Sequence, residues 1–135
     1  MAVIEKFTFK KISEDGFGII RRPYATVLIQ GVNKEWYPVE MVVDTGADYT
    51  LMPRRYASFL GIDLNRDCIP KTSIGIGGSE TVYLFKFLKV RLNKWQQNIP
   101  VGFLERDDIP ALLGRLKFIE ALKVTFHEHQ TIFEI

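Results

Sequence analysis

The sequence predicts a small, mostly β domain, largely antiparallel, with one or two short helices. Three observations carry this expectation. Blocks rich in Val, Ile, Leu, Tyr and Phe recur along the chain; glycine, asparagine and aspartate separate them; and only short segments have the punctuation of a helix. At 135 residues the chain suits a single domain, residues 1–135, long enough to bury a core and too short for two independent lobes.

Tyr24 to Gln30 (YATVLIQ) and Trp36 to Val43 (WYPVEMVV) flank GVNKE, where Gly31 and Asn33 suit a tight connection. The two blocks read as a hairpin running into Asp44. Pro53 to Leu60 (PRRYASFL) has a proline suited to a first helical turn and Gly61 just past its end, which predicts a short surface helix. Ile69 to Ile76 and Thr81 to Leu92 are strand-like and meet at Gly75, Gly77 and Gly78, a composition that predicts a mobile hairpin tip. In TVYLFKFLKVRL one face is expected to carry Val82, Leu84, Leu88, Val90 and Leu92, with Tyr83, Phe85 and Phe87 opposite and little solvent on either side. Ile99, Val101 and Phe103 alternate as another strand, followed by ERDD and PALLGR. A short helix from about Leu116 to Leu122 and a terminal strand pair, KVTFH and TIFEI, complete the expected order.

Composition narrows the classes of function. With 18 Lys+Arg against 16 Asp+Glu the net charge is +2, and the basic pairs Arg21-Arg22 and Arg54-Arg55 stand apart, so nucleic acid is not the expected partner. The single cysteine, Cys68, has no mate for an internal disulfide; a buried thiol and a reducing compartment follow. No apolar run approaches the roughly 20 residues that span a bilayer, and the first residues lack a targeting pattern, so a cytoplasmic protein without membrane contact is expected. His127 and His129 would share one face of a strand, a spacing that permits a metal, but no third ligand cluster accompanies them. No metal and no cofactor are expected. The glycine-rich SIGIGGSE lacks the Gly-Lys-Ser/Thr of a phosphate loop and precedes a strand rather than a helix, which argues against nucleotide binding. Phe85, Phe87, Phe103, Phe126 and Phe133 read as core or interface.

The stretch MVVDTGADYTLMP places a carboxylate, Asp44, where an apolar run ends. A lone Asp-Thr-Gly is usually a turn in which the acid accepts amide hydrogen bonds from its neighbours. Two downstream features weigh against that plain reading here: the glycine-rich tip, and the apolar pair followed by Gly-Arg in ALLGR. In that order, VVDTGADYTLMP, IGIGGS and LLGR resemble the retropepsin-like aspartic protease family, from about Tyr24 to Arg115. The resemblance implies the retropepsin (acid protease) fold, a small closed, barrel-like antiparallel β domain.

It also implies roles. Asp44 is the catalytic carboxylate, Thr45 braces the site across a dimer, and Gly46 lets a peptide approach the backbone. Ala47 and Asp48 face substrate, Asp48 also pairing with Arg115 to lock the loop, with Gly114 and Arg115 as structural support. Ile74, Gly75, Ile76, Gly77 and Gly78 form a flap, and Leu112 and Leu113 wall the substrate cleft. Pepsin-like lobes commonly carry Ser where Ala47 stands; loss of that hydroxyl donor implies a less acidic working pH.

One aspartate near its usual pKa of about 4 cannot both deprotonate a water and protonate a leaving amine, whereas two in contact share one proton. Asp15, Asp63 and Asp107-Asp108 do not repeat the Asp-Thr-Gly context, so the second carboxylate is expected from Asp44 of another copy. The expectation is a homodimeric aspartic endopeptidase acting on a peptide or protein substrate. The alternative is a catalytically inactive dimerisation or peptide-binding domain of the same fold, although a pure scaffold has no evident need for Asp44, Thr45, Gly46 and a glycine tip together. The chain is longer at both ends than compact viral members, and its C-terminal hairpin either supplies an interface sheet or covers an edge.

Overall fold

A computed structural model describes residues 2–135, apart from the side chain of Asp15. Strands dominate. The N-terminal segment forms β1 (Val3–Thr8), β2 (Lys10–Asp15) and β3 (Gly18–Arg22), and the predicted hairpin forms β4 (Tyr24–Gln30) and β5 (Trp36–Val43). Then come β6 (Thr50–Met52), α1 (Arg54–Leu60), α2 (Leu64–Asp67), β7 (Ile69–Gly75), β8 (Gly78–Leu92), β9 (Trp95–Leu104) and β10 (Ala111–Leu113). A 3-10 turn at Ile119–Ala121 leads into β11 (Lys123–His127) and β12 (Gln130–Glu134).

The main sheet runs β4-β5-β10-β6-β9-β8-β7, and β8 pairs again with β4 through Leu28 opposite Arg91 and Ile29 opposite Val90. That second pairing bends the sheet into a ring, leaving β7 as an outer edge. The inward alternation of β4 and β5 puts Ala25, Val27, Ile29, Val39, Met41 and Val43 in the core, and Val90, Leu92, Ile99, Val101 and Phe103 join them from β8 and β9. The mostly β class with two short helices holds. Two contacts are parallel, however: β5 with β10 and β6 with β9. They arise because β10 inserts between β5 and β6, which are neighbours in sequence but not in the sheet.

A three-stranded sheet, β1-β12-β11, closes the other end of the molecule. Phe133 of β12 packs edge-on against Phe118, which in turn meets Trp95 of β9 at 5.0 Å between ring centres. Both phenylalanines are fully buried, and each such side chain contributes about 1.5–3 kcal/mol by leaving water. The terminal hairpin therefore covers the ring's core and uses β12 to pair β1.

Several expectations need correction. The helix expected over residues 116–122 is a 3-10 turn of three residues, because Lys117 sits at φ 61 and breaks the helical path. The even alternation expected of TVYLFKFLKVRL fails at a bulge: Phe85 pairs with Val101 and Leu88 with Ile99, so β8 carries one extra residue and Phe87 turns out to solvent at 71% exposure. Phe126 is also exposed rather than core. His129 is not on a strand: Glu128 and His129, both at positive φ, form the two-residue turn between β11 and β12, so the two histidines do not share a strand face. Among the described residues no cluster of three or more metal-ligating side chains occurs, and no helix is long and apolar enough to cross a membrane.

Candidate active site

Asp44 leaves the end of β5 beside the end of β10. Its amide donates to the Leu113 carbonyl at 2.9 Å, extending the parallel pairing by one step, and its Oδ1 accepts the Gly46 amide at 2.9 Å. The Ala47 amide closes the turn on the Asp44 carbonyl at 3.2 Å. The carboxylate is thus held by its own loop, half-buried, while Thr45 and Gly46 are exposed. A side chain at Gly46 would lie 3.3 Å from Asp44 Oδ1, so the glycine keeps the carboxylate uncrowded.

The loop is fastened from beneath by the segment that follows β10. Gly114 donates its amide to the hydroxyl of buried Thr50 at 3.1 Å, Arg115 to the Ala47 carbonyl at 2.9 Å, and Leu116 to the Asp48 carbonyl at 2.8 Å. The Arg115 side chain adds a fork: Nη1 donates to the Thr45 carbonyl at 2.8 Å and Nη2 to Asp48 Oδ1 at 2.8 Å. Its Nε reaches Glu120 at 3.3 Å. A planar guanidinium serves three acceptors at fixed angles, which a lysine ammonium cannot do. The hydrogen bond to Asp48 holds the Arg115 guanidinium above its ordinary pKa, helped by Glu120. Gly114 itself is required sterically. A Cβ there would fall 2.2 Å from the Tyr49 carbonyl carbon.

Alternation separates the two leucines expected at the cleft. Leu112 is half-buried, but Leu113 is fully buried and belongs to the core, since successive residues of a strand point to opposite faces. Leu113 therefore cannot wall a cleft; it helps to anchor Asp44 through its carbonyl.

The β7–β8 hairpin carries Ile74, Gly75, Ile76, Gly77 and Gly78 away from the ring. Every residue of β7 is exposed, and Ile74 and Ile76 are among the most exposed apolar side chains. Gly78 sits at φ 113, a conformation that favours glycine. Between this hairpin and the loop after Asp44 lies an open cleft of about 400 Å³, lined by Tyr49, Leu51, Val82 and Leu104 below and by Ser73, Gly75, Gly77, Gly78, Ser79, Glu80 and Arg106 around it. Asp44 and Leu112 do not line it; of the loop that follows Asp44, Tyr49 does. Sequence reasoning passed over Tyr49, Glu80, Arg106 and Glu120. Tyr49 directly follows Asp48, so only its position next to the motif pointed to it. Burial, then the Asp48 charge, raises its pKa.

A family profile for aspartyl proteases matches residues 25–115, from the start of β4 through Arg115. The chain belongs to the aspartyl protease family. Among solved structures, the fold of this aspartyl protease family member is similar to that of a retropepsin-like aspartic protease from Rickettsia conorii. The TM-score is 0.68 at 21% identity, covering 95% of this chain and 98% of that one. At that coverage the likeness extends beyond the residues of the profile match. Curated proteins give no match to this sequence.

Proposed function

We propose that this family member is a homodimeric aspartic endopeptidase, residues 1–135 forming a single domain, with one Asp44 from each protomer at the two-fold axis. The observation that carries the reading is the construction of the Asp44 loop. Its amides and carbonyls are tied to residues 113–116, while the carboxylate keeps Oδ2 free of any hydrogen bond among the described residues. Such bracing fits a carboxylate that must hold its position against a like charge.

Two apposed carboxylates share one proton. The ionised one takes a proton from a water held between them as the water oxygen attacks the scissile carbonyl carbon, and the protonated one gives its proton to the carbonyl oxygen. In the tetrahedral diol that results, the first carboxyl returns its proton to the amide nitrogen, the second recovers one from a diol hydroxyl, and the C–N bond breaks to release acid and amine. The exposed β7–β8 hairpin acts as the flap: it closes over an extended peptide, supplies backbone hydrogen bonds and excludes water. No step calls for a metal or cofactor.

Asp44→Asn tests the reading, because an amide oxygen keeps the Gly46 hydrogen bond yet removes the shared proton. Cleavage of a protein or peptide mixture, read by mass spectrometry, should fall by at least about 10²–10⁴-fold. Equal turnover by the variant would sink the dyad. Sedimentation should show a dimer, at least with a peptide transition-state mimic present.

A further inference from the structure

The cleft beside the Asp44 loop has a chemically divided lining. Its floor is apolar, from Tyr49, Leu51, Val82 and Leu104, while Glu80 and Arg106 stand at its edge. The two charges are not equally available. Arg106 is engaged by Asp108 through two nitrogens, Nε with Oδ1 and Nη2 with Oδ2, the latter at 2.6 Å. That paired hydrogen bonding raises the pKa of Arg106 and lowers that of Asp108. The Glu80 carboxylate accepts no hydrogen bond among the described residues, and the cation paired with it, Arg106 Nη1, lies 4.0 Å away. Arg106 is thus held chiefly by Asp108 and only more distantly by Glu80, whose carboxylate keeps open acceptor capacity at the cleft.

We propose that this cleft is a specificity pocket for a long basic side chain, lysine or arginine, of the peptide substrate. The aliphatic stem lies on Leu51, Val82 and Leu104, and the cationic head pairs with Glu80. A volume of about 400 Å³ accommodates such a side chain with water to spare. Glu80 sits on β8 opposite Ser73, two residues from Gly78 at the tip of the glycine-rich hairpin, so a basic side chain bound to it also holds that hairpin over the peptide. Recognition and closure are then one event. The inference rests on the proteolytic reading above and adds to it the class of substrate.

The test uses a peptide library randomised on both sides of the scissile bond, with cleavage products sequenced by mass spectrometry. Wild-type protein should enrich Lys and Arg at one fixed position, and the enrichment should weaken with added salt. Glu80→Gln should lower about tenfold the ratio of kcat/KM for a peptide with arginine there to that for its norleucine counterpart. Arg106→Gln should move the other way, because removing its charge frees both Glu80 and Asp108 for the basic head. Efficient cleavage without basic preference, or a preference that survives Glu80→Gln, overturns the proposal while leaving the protease reading intact. If the protein cleaves no peptide, the protease reading falls. The pocket is then decided by calorimetric binding of two peptides with reduced scissile bonds, one bearing arginine and one norleucine. Tighter arginine binding that Glu80→Gln removes supports it, and equal affinity overturns it.

Discussion

Gly114→Ala should be among the most damaging single-methyl additions to this chain. The new Cβ would sit 2.2 Å from the Tyr49 carbonyl carbon, 2.3 Å from its oxygen and 2.7 Å from the Thr50 nitrogen. All three are backbone atoms, so no side chain can swing aside, and the loop must retreat by about 1 Å to reach ordinary contact. The Gly114 amide to Thr50 and the Arg115 amide to Ala47, bonds of 3.1 and 2.9 Å, run across the same gap and would stretch beyond useful length. Overpacking of this kind costs about 1–3 kcal/mol, and one or two weakened hydrogen bonds add about 1 kcal/mol each. A total of about 3–4 kcal/mol corresponds to a fall in Tm of roughly 10–15 °C for a domain of this size. Differential scanning fluorimetry at fixed protomer concentration reads it, with Gly77→Ala as the control, since nothing lies within 4 Å of a Cβ at Gly77. A Gly114→Ala protein melting within about 3 °C of wild type would show that the loop does not rest on this glycine.

Three other outcomes follow from the same structure. Arg115→Ala removes donors to Thr45, Asp48 and Glu120 from a partly exposed fork and should lower the denaturant midpoint; Arg115→Lys should recover less than half of that loss, and full recovery would discount the fork geometry. Thr131→Val should raise Tm by about 4 °C, because the buried Thr131 hydroxyl has no hydrogen-bond partner among the described residues and a methyl of the same shape removes that penalty; a fall in Tm would point to a hydrogen bond at that site. The hydrogen bonds from Arg66, with a second from the Asp63 amide, lower the Asp67 pKa to about 2. The unfolded chain takes up that proton first as pH falls, so the Asp67 contribution is complete above about pH 4 and is lost between there and about pH 2. An NMR titration of the carboxyl should find a midpoint near 2 that Arg66→Ala raises, and an ordinary midpoint would refute the pairing.

What could be read in the sequence depended on how locally each feature was encoded. Pro53 and Gly61 bracket α1 because a rigid φ and a left-handed glycine at φ 79 act within single turns. The segments around Asp44, Gly75 and Gly114 were legible for a similar reason, as short motifs whose chemistry is local. Insertion of β10 between β5 and β6 was not legible: three residues pairing with strands 61 and 70 positions earlier leave no period in their own segment. The bulge at Lys86-Phe87 was hidden because an extra residue in one strand appears only against its partner. The β2–β3 hairpin escaped notice because its side chains are largely exposed and show no apolar alternation. Within the cleft, Glu80 and Arg106 looked like scattered surface charges until β8 and β9 were laid side by side.

The order in which the chain is made gives β10 a further consequence. Every partner that shapes the Asp44 loop from outside it, the Leu113 carbonyl, the Gly114 amide and the Arg115 fork, is translated well after the loop itself. A ribosome that has reached Pro110 holds the Asp-Thr-Gly sequence with only the loop's own hydrogen bonds to shape it, and the slot between β5 and β6 still vacant. The loop that carries Asp44 can set only when synthesis has passed Arg115, so its final shape waits until most of the core that closes around it has been made.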